Sequence, residues 1–578
     1  MASSRTLPVS ALSASRHLPA VGVMLLLLAL PSCATAAMAA ISSEPVTRAA
    51  SDVATAIDAA LAPQFKPDEP GATIIVVKDG KTILRKGYGA ANLASKTAMQ
   101  PQMVLRIGSL TKQFTAVSIY LLAEQGRLDI RDDIRKHLPD FPDKGKAITI
   151  EHLLTHTSGI PNYTDSPKYG AGMAADQSVS QMIDSFRNEP LQFTPGERFA
   201  YSNSGYFLLG AIIEKASGMA YADFVAKNIF VPLGMNNTAY EGHERGAKRI
   251  EGYSRGKSGY EVAPPVSMTQ PYAAGSLVSN VDDMARWDAA ISEGKVLKPE
   301  SWKRIFTPYT FNNGQKSSYA SGWRVRTFRG RESIDHSGGI NGFLTFAMRL
   351  PKDKVYVAVM INAIGRDASP THLAERAAAI AIGKPFPELK AIKLDPKVLE
   401  QYEGVYKIDD KSNRVITRMG DGLVLQRGST RVNMQPYSET EFFLPNFSYS
   451  RYKFVRNEQG KVTAMLVYPD DEGEETNPRI GDKPAERATV AVTPATFDAL
   501  VGEYQLAPNF IMTVSRDGAR FLTQATGQSA IEIFAESETR YFPKVIDATL
   551  QFVKDADGKV TELVLTQNGR DMRAKKIK

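Results

Sequence analysis

Apolar and polar positions fall into distinct textures along the chain. From Phe114 to Ala123 almost every residue is apolar, within the run "FTAVSIYLLAEQG" that stops at Gly126. A segment of that length, apolar on nearly all sides, reads as a helix buried in a large core, with glycine marking its end. A second such run, "YFLLGAIIEKASG", follows the turn signal "TPGE". Phe343 to Leu350 and Val355 to Ile361 are short apolar stretches that read as strands. Beyond Gly383 the texture changes to short alternating strands, and the chain repeats itself. "YEGVY" from Tyr402 corresponds to "LVGEY" from Leu500, Ser438-Glu439-Thr440 to Ser537-Glu538-Thr539, and "GKVTAMLV" from Gly460 to "GKVTELVL" from Gly558, about 98 positions on. Each copy has room for about six to eight short strands, which suits a small antiparallel barrel. Between the copies, Pro469 to Pro494 is polar, charged and proline-bearing, as a linker is.

The first residues carry a different pattern. Arg5 and Arg16 precede "VGVMLLLLAL", Val21 to Leu30, and small residues follow. That run is too short to span a bilayer, and Ala37-Met38-Ala39 offers an A-x-A cleavage site, so residues 1–39 read as a signal peptide. The alternative is lipid attachment at Cys33, because "LPSC" resembles a lipoprotein box with an atypical Pro31. Either route exports the protein to the periplasm or the medium. No later run is long enough for a transmembrane span. Cleavage after Ala39 removes the single cysteine, so no disulfide is expected.

The 578 residues are too many for one core and point to three or four domains. The formal charge of +8 loses two arginines and no acids with residues 1–39. This mild basic bias fits solubility or an anionic envelope surface. There is no basic cluster, zinc-type Cys/His spacing or phosphate-binding glycine loop, so nucleic acid, metal and nucleotide are unsupported and no cofactor is expected.

Candidate chemistry lies in three short motifs. Ser109 and Lys112 stand at i and i+3, on one face of the buried helix, where an amine can take the proton of a hydroxyl nucleophile. Ser254, Ser292 and Ser450 share that spacing. Ser254 and Ser292 have glycine just before the lysine, Ser450 lies in a strand-like run, and any one of the four serines also reads as an ordinary cap or surface residue. Tyr201 is the one tyrosine of 22 followed two residues later by asparagine, Asn203. It falls in a loop able to face a cleft, although Asn203 also reads as a helix cap. His336 is the one histidine of seven with glycine two residues on, Gly338. Gly338 and Gly339 permit close approach of a substrate carbonyl to backbone N–H groups, or mark a bulge without function.

Taken in order, Ser109-Leu110-Thr111-Lys112, Tyr201-Ser202-Asn203 and His336-Ser337-Gly338 resemble the penicillin-binding and class C β-lactamase-like serine hydrolases. "LRIGSLTKQFTA", "ITIEHLLTHTSGIPNY" and "AAGSLVSNVDDMARW" strengthen the likeness, which runs from about Val53 to Gly383. The resemblance implies an α+β catalytic domain, an antiparallel sheet flanked by helices plus a helical subdomain. It also implies that Ser109 attacks the substrate carbonyl to give an acyl-serine. Lys112 and Tyr201 share the proton traffic, Asn203 bonds the substrate amide or Lys112, and the N–H groups of Ser109 and Gly339 meet the oxyanion. A cationic lysine beside a phenol favours phenolate, which points to Tyr201 as general base. One departure is His336, where many relatives carry a lysine. A histidine offers charge to a substrate carboxylate only when protonated, which weakens a penicillinase reading. Lys257-Ser258-Gly259 is rejected as a substitute because it sits in an expected hairpin turn.

The histidine form resembles D-stereospecific aminopeptidases, in which two eight-stranded barrels follow the catalytic domain and one lends a loop to the site mouth. The expected layout is a catalytic domain at 46–388, a barrel at 395–470, a linker at 471–492 and a second barrel at 493–578, with a loop from 490–578 limiting substrate length. The expected activity is hydrolysis of amides in small peptides containing D-amino acids. Ester hydrolysis, β-lactamase or D-Ala-D-Ala carboxypeptidase activity, and slow acylation by a penicillin- or peptide-binding protein are the alternatives.

Overall fold

Val355–Ile361 is buried along its whole length, with Val355, Val357, Val359 and Ile361 on one face and Tyr356, Ala358 and Met360 on the other. A strand covered on both sides reads as an unbroken apolar run because neither set of alternate side chains meets water. The computed structural model describes residues 44–578 apart from 167–168, 170–171, 257–258, 410–411, 429, 446–447, 470–472, 483–486, 508–509, 527–529, 545–547 and 568–569. The expected signal peptide, 1–39, and Cys33 lie outside the described residues. No described helix is long and apolar enough to cross a membrane.

The catalytic unit is α+β. Its sheet contains β1 (Ala72–Lys78), β2 (Lys81–Tyr88), β3 (Arg324–Phe328), β4 (Arg331–Ile340), β5 (Phe343–Leu350) and β6 (Val355–Ile361), in the order β3-β4-β5-β6-β1-β2. Every neighbouring pair is antiparallel. The longest helices are α1 (Glu44–Leu61), α2 (Thr111–Glu124), α3 (Asn203–Ser217), α4 (Val281–Ser292) and α5 (Pro370–Ala381). Ile57 and Leu61 of α1 and Leu373 and Ala377 of α5 cover the sheet face that carries Val357 and Val359. Phe114 of α2, Leu208 of α3 and Trp287 of α4 belong to the core on the opposite face. Helix α2 therefore lies inside the molecule, as its apolar surround predicts, and it ends two residues before Gly126, which takes φ +71°.

Two closed eight-stranded antiparallel barrels follow, from Gly404–Lys407 to Glu475–Gly481 and from Gly502–Ala507 to Arg570–Lys576. The repeat is visible in their locking contacts. Tyr406 Oη donates to Tyr402 O at 2.7 Å, and 98 residues on Tyr504 Oη donates to Leu500 O at 2.5 Å. The expected linker at 471–492 needs correction. Strand Glu475–Gly481 lies within it and pairs with Val405 and Tyr406 to close the first barrel. The strand escapes pattern reading because Asn477 is its one buried side chain, bonded to Arg414, and Pro478 breaks the alternation.

The first barrel is tied to the catalytic unit through Tyr449, whose ring lies parallel to His372 at 4.1 Å and to Phe386 at 3.5 Å between centroids. Its hydroxyl donates to His372 O at 3.1 Å. His372 belongs to α5, so this tie is on the side of the sheet away from α2.

Candidate active site

Ser109 sits in a 3-10 turn, Gly108–Leu110, that leads into α2. Gly108 takes φ +51°, and a Cβ there would fall 2.8 Å from Gly339 N, so the turn and β4 approach more closely than any side chain allows. Lys112, in the first turn of α2, is fully buried. Its Nζ lies 3.1 Å from Ser109 Oγ, 2.8 Å from Asn203 Oδ1 and 2.8 Å from Ala274 O. Tyr201 Oη donates to Ser109 Oγ at 2.8 Å. Asn203 is the first residue of α3, and its Nδ2 donates to Thr164 Oγ1 at 3.3 Å, which turns Oδ1 toward the lysine.

The phenol, the amine and the hydroxyl thus converge from three distant segments. The other Ser-x-x-Lys matches do not join them. Ser254 lies in the strand Tyr253–Arg255, Ser292 ends α4 and Ser450 precedes the barrel strand Arg451–Arg456. Lys257 and Ser258 are outside the described residues, between strands Tyr253–Arg255 and Tyr260–Val262, which pair antiparallel.

The electrostatics reverse the expectation that Tyr201 holds a phenolate. Burial pushes the Tyr201 hydroxyl well above the ordinary phenol range, and the hydrogen bond with Ser109 only partly offsets it. Burial also drives Lys112 well below the ordinary lysine value, and among the described residues no carboxylate pairs with it. Burial therefore disfavours the cationic form of the lysine that would help ionise the phenol.

His336, expected to contact substrate, has both ring nitrogens engaged within the protein. Its Nε2 accepts from Tyr319 Oη at 2.8 Å and its Nδ1 donates to Ser337 O at 2.6 Å. Burial pushes its pKa down to about 3, so the ring is neutral and both nitrogens are engaged. Just before it, fully buried Asp335 is held by Arg324 and Arg326, and Arg326 continues to Glu375 of α5.

Gly338, expected beside the substrate, is tightly packed. It pairs with Thr345, and a Cβ would meet Ile107 O at 2.1 Å and Thr345 Oγ1 at 2.3 Å. The glycine lets β4 lie against the 3-10 turn; it is a packing residue. Strand β3 pairs with β4 only as far as Asp335, so Gly339 lies on a stretch of β4 with no strand on that side among the described residues. A Cβ at Gly339 would meet only Leu344 Cδ2, at 3.4 Å.

Motif reading did not single out Ala274, Thr164, Tyr319 and His156. Ala274 and His156 fall inside the longer runs that carry the resemblance, so their neighbourhood was visible although their contacts were not. Tyr319 stands in no motif.

Residues 53–382 match the family described as Beta-lactamase, and residues 486–576 match a Domain of unknown function, DUF3471. The chain is 32% identical over 434 residues to Penicillin-binding protein 4* of Bacillus subtilis, an alignment covering 70% of this chain and 94% of that protein. Protein flp of Staphylococcus aureus is 30% identical, covering 51% of this chain and 59% of that one. Among solved structures, the octameric penicillin-binding protein homologue from Pyrococcus abyssi superposes with a TM-score of 0.54 at 27% identity, covering 74% of this chain and 98% of that chain. D-amino acid amidase from Ochrobactrum anthropi shares the fold, with a TM-score of 0.50 at 24% identity over 58% of this chain and 98% of that one. With a family match spanning more than half its length, the chain belongs to the beta-lactamase family, whose members are generally serine hydrolases.

Proposed function

We propose that this protein hydrolyses amide bonds of small peptides containing D-amino acids through an acyl-serine at Ser109. The observation that carries the proposal is the position of Ser109 Oγ, between a fully buried lysine at 3.1 Å and a protonated phenol at 2.8 Å. As an amine, Lys112 spends its two N–H groups on Asn203 Oδ1 and Ala274 O, and its lone pair remains for the serine proton. Oγ then bonds to the carbonyl carbon, and its proton passes to Lys112. The oxyanion lies between the N–H groups of Ser109 and Gly339, each worth about a hundredfold in rate. Collapse expels the leaving amine, which takes a proton from Tyr201, and Lys112 returns the proton to the phenol. Water then repeats the sequence on the acyl-serine, with Lys112 accepting its proton.

A phenol that retains its proton beside the nucleophile favours amides, because an amine leaves only after protonation whereas an aryl alcohol needs less help. Neutral His336 offers no charge to a substrate carboxylate, which disfavours penicillins and carboxypeptidase substrates. Export rests on the apolar run Val21–Leu30 and the small residues after it. N-terminal sequencing and membrane fractionation of the processed protein test that part, with Cys33→Ser separating a cleaved chain from a lipid-anchored one.

The substrate proposal is tested with purified protein offered a D-alanyl anilide, an L-alanyl anilide, a short-chain aryl ester and a chromogenic cephalosporin, with Ser109→Ala as control. Turnover restricted to the D-anilide supports it. Ester turnover alone replaces it with an esterase, and no turnover with stable acylation replaces it with a binder.

A further inference from the structure

His156 takes no part in the chemistry above, yet it meets Tyr201 on three sides. Ala200 N donates to His156 O at 2.9 Å, and Ser202 N donates to His156 Nδ1 at 3.1 Å. The Tyr201 ring lies on the imidazole with centroids 4.3 Å apart. The backbone N–H groups of the two residues flanking Tyr201, and the phenol ring itself, all meet one residue. His156 is 1% exposed and takes φ +56°, a conformation few residues with a side chain adopt, which is common at sites whose geometry is over-determined.

An accepting Nδ1 places the ring proton on Nε2. That nitrogen is buried among the rings of Tyr206 at 5.1 Å and Tyr319 at 4.7 Å, with no hydrogen-bond partner among the described residues. The titratable groups facing the imidazole are Lys112, His336, Tyr201, Tyr206 and Tyr319. A proton on Nδ1 would remove the acceptor for Ser202 N–H, and burial strongly opposes it.

We propose that His156, as its Nε2–H tautomer, is the positioning residue that sets the Tyr201 hydroxyl against Ser109 Oγ. The inference rests on the acyl-serine reading above. It is tested with His156→Asn, which keeps an acceptor for Ser202 N–H and tolerates positive φ, and His156→Phe, which keeps a ring without the acceptor. Thermal midpoints establish that each variant is folded at the assay temperature. His156→Phe is expected to lower kcat on the D-anilide about a hundredfold with KM nearly unchanged, since small displacements of a reacting group have that effect. His156→Asn is expected to lose about tenfold, consistent with a misplaced proton donor. The aryl ester is expected to lose less than the anilide in both variants, because the phenol protonates the leaving amine. Equal losses on amide and ester mark a merely structural role and overturn the proposal, as does unchanged kcat.

If neither variant folds, 15N-histidine spectra of the unaltered protein decide. A persistent Nε2–H signal that does not titrate near pH 6.5 supports the clamp, and an Nδ1–H tautomer overturns it. Failure of the unaltered protein to turn over or to label with a fluorophosphonate rejects the acyl-serine reading, while the spectra still judge the clamp.

Discussion

Lys112 is the residue on which the pH behaviour turns. Only its amine form carries the lone pair, so acylation is expected to rise as pH climbs through its lowered folded value and then level off, measured as the single-turnover rate of the D-anilide. Stability follows the same group. Between that lowered value and about 10.4 for an exposed lysine, the unfolded chain holds a proton that the folded chain lacks. This group's contribution therefore grows with rising pH, by about 1.4 kcal/mol per unit, and is lost as pH falls through the folded value. Denaturant titrations of Lys112→Met at several pH values should show that slope removed relative to the unaltered protein. Tyr201→Phe keeps the ring on His156 and removes the proton donor. Its kcat on the anilide is expected to fall about a hundredfold, with a smaller loss on the aryl ester. At this scale the sequence identified the participants but not which of them holds the proton. Spacing reveals which groups can meet, whereas ionisation depends on burial, which spacing does not contain.

Elements bring these residues together through one tight contact, β4 against the 3-10 turn before α2. Gly338→Ala forces a Cβ within 2.1 Å of Ile107 O and should push the strand off the turn. The Gly339 N–H then leaves the oxyanion position, and kcat is expected to drop about a hundredfold. Gly339→Ala, which meets only Leu344 Cδ2 at 3.4 Å, is expected to change kcat little; steady-state kinetics on the anilide separate the two. The elements themselves were largely legible. α2, β5 and β6 have apolar runs whose length and surround reflect burial from all sides, and their expected spans fall close to the observed ones. The glycines were legible as a motif but not as a fit between a strand and a turn, because the partner, Ile107, lies 231 positions away in the chain. Asp335 illustrates the same gap. Its burial between two arginines becomes visible only when β3 and β4 pair.

At the scale of the molecule, the 98-residue repeat predicted two similar folds, and two closed barrels with matching tyrosine locks are present. The tie from the first barrel runs to α5, behind the sheet. Tyr449→Ala is accordingly expected to loosen the first barrel, read as earlier protease cleavage between 383 and 395, while anilide kinetics stay within about twofold, as for a change remote from chemistry. Strand Glu475–Gly481 has a practical consequence for where this chain can be cut. A truncation ending at 470, where the pattern of apolar residues gives out, strips the closing stave and leaves two raw margins free to zip onto neighbouring molecules. One ending at 482 keeps the ring shut, so size-exclusion chromatography should find the shorter product clumped and the longer one dispersed.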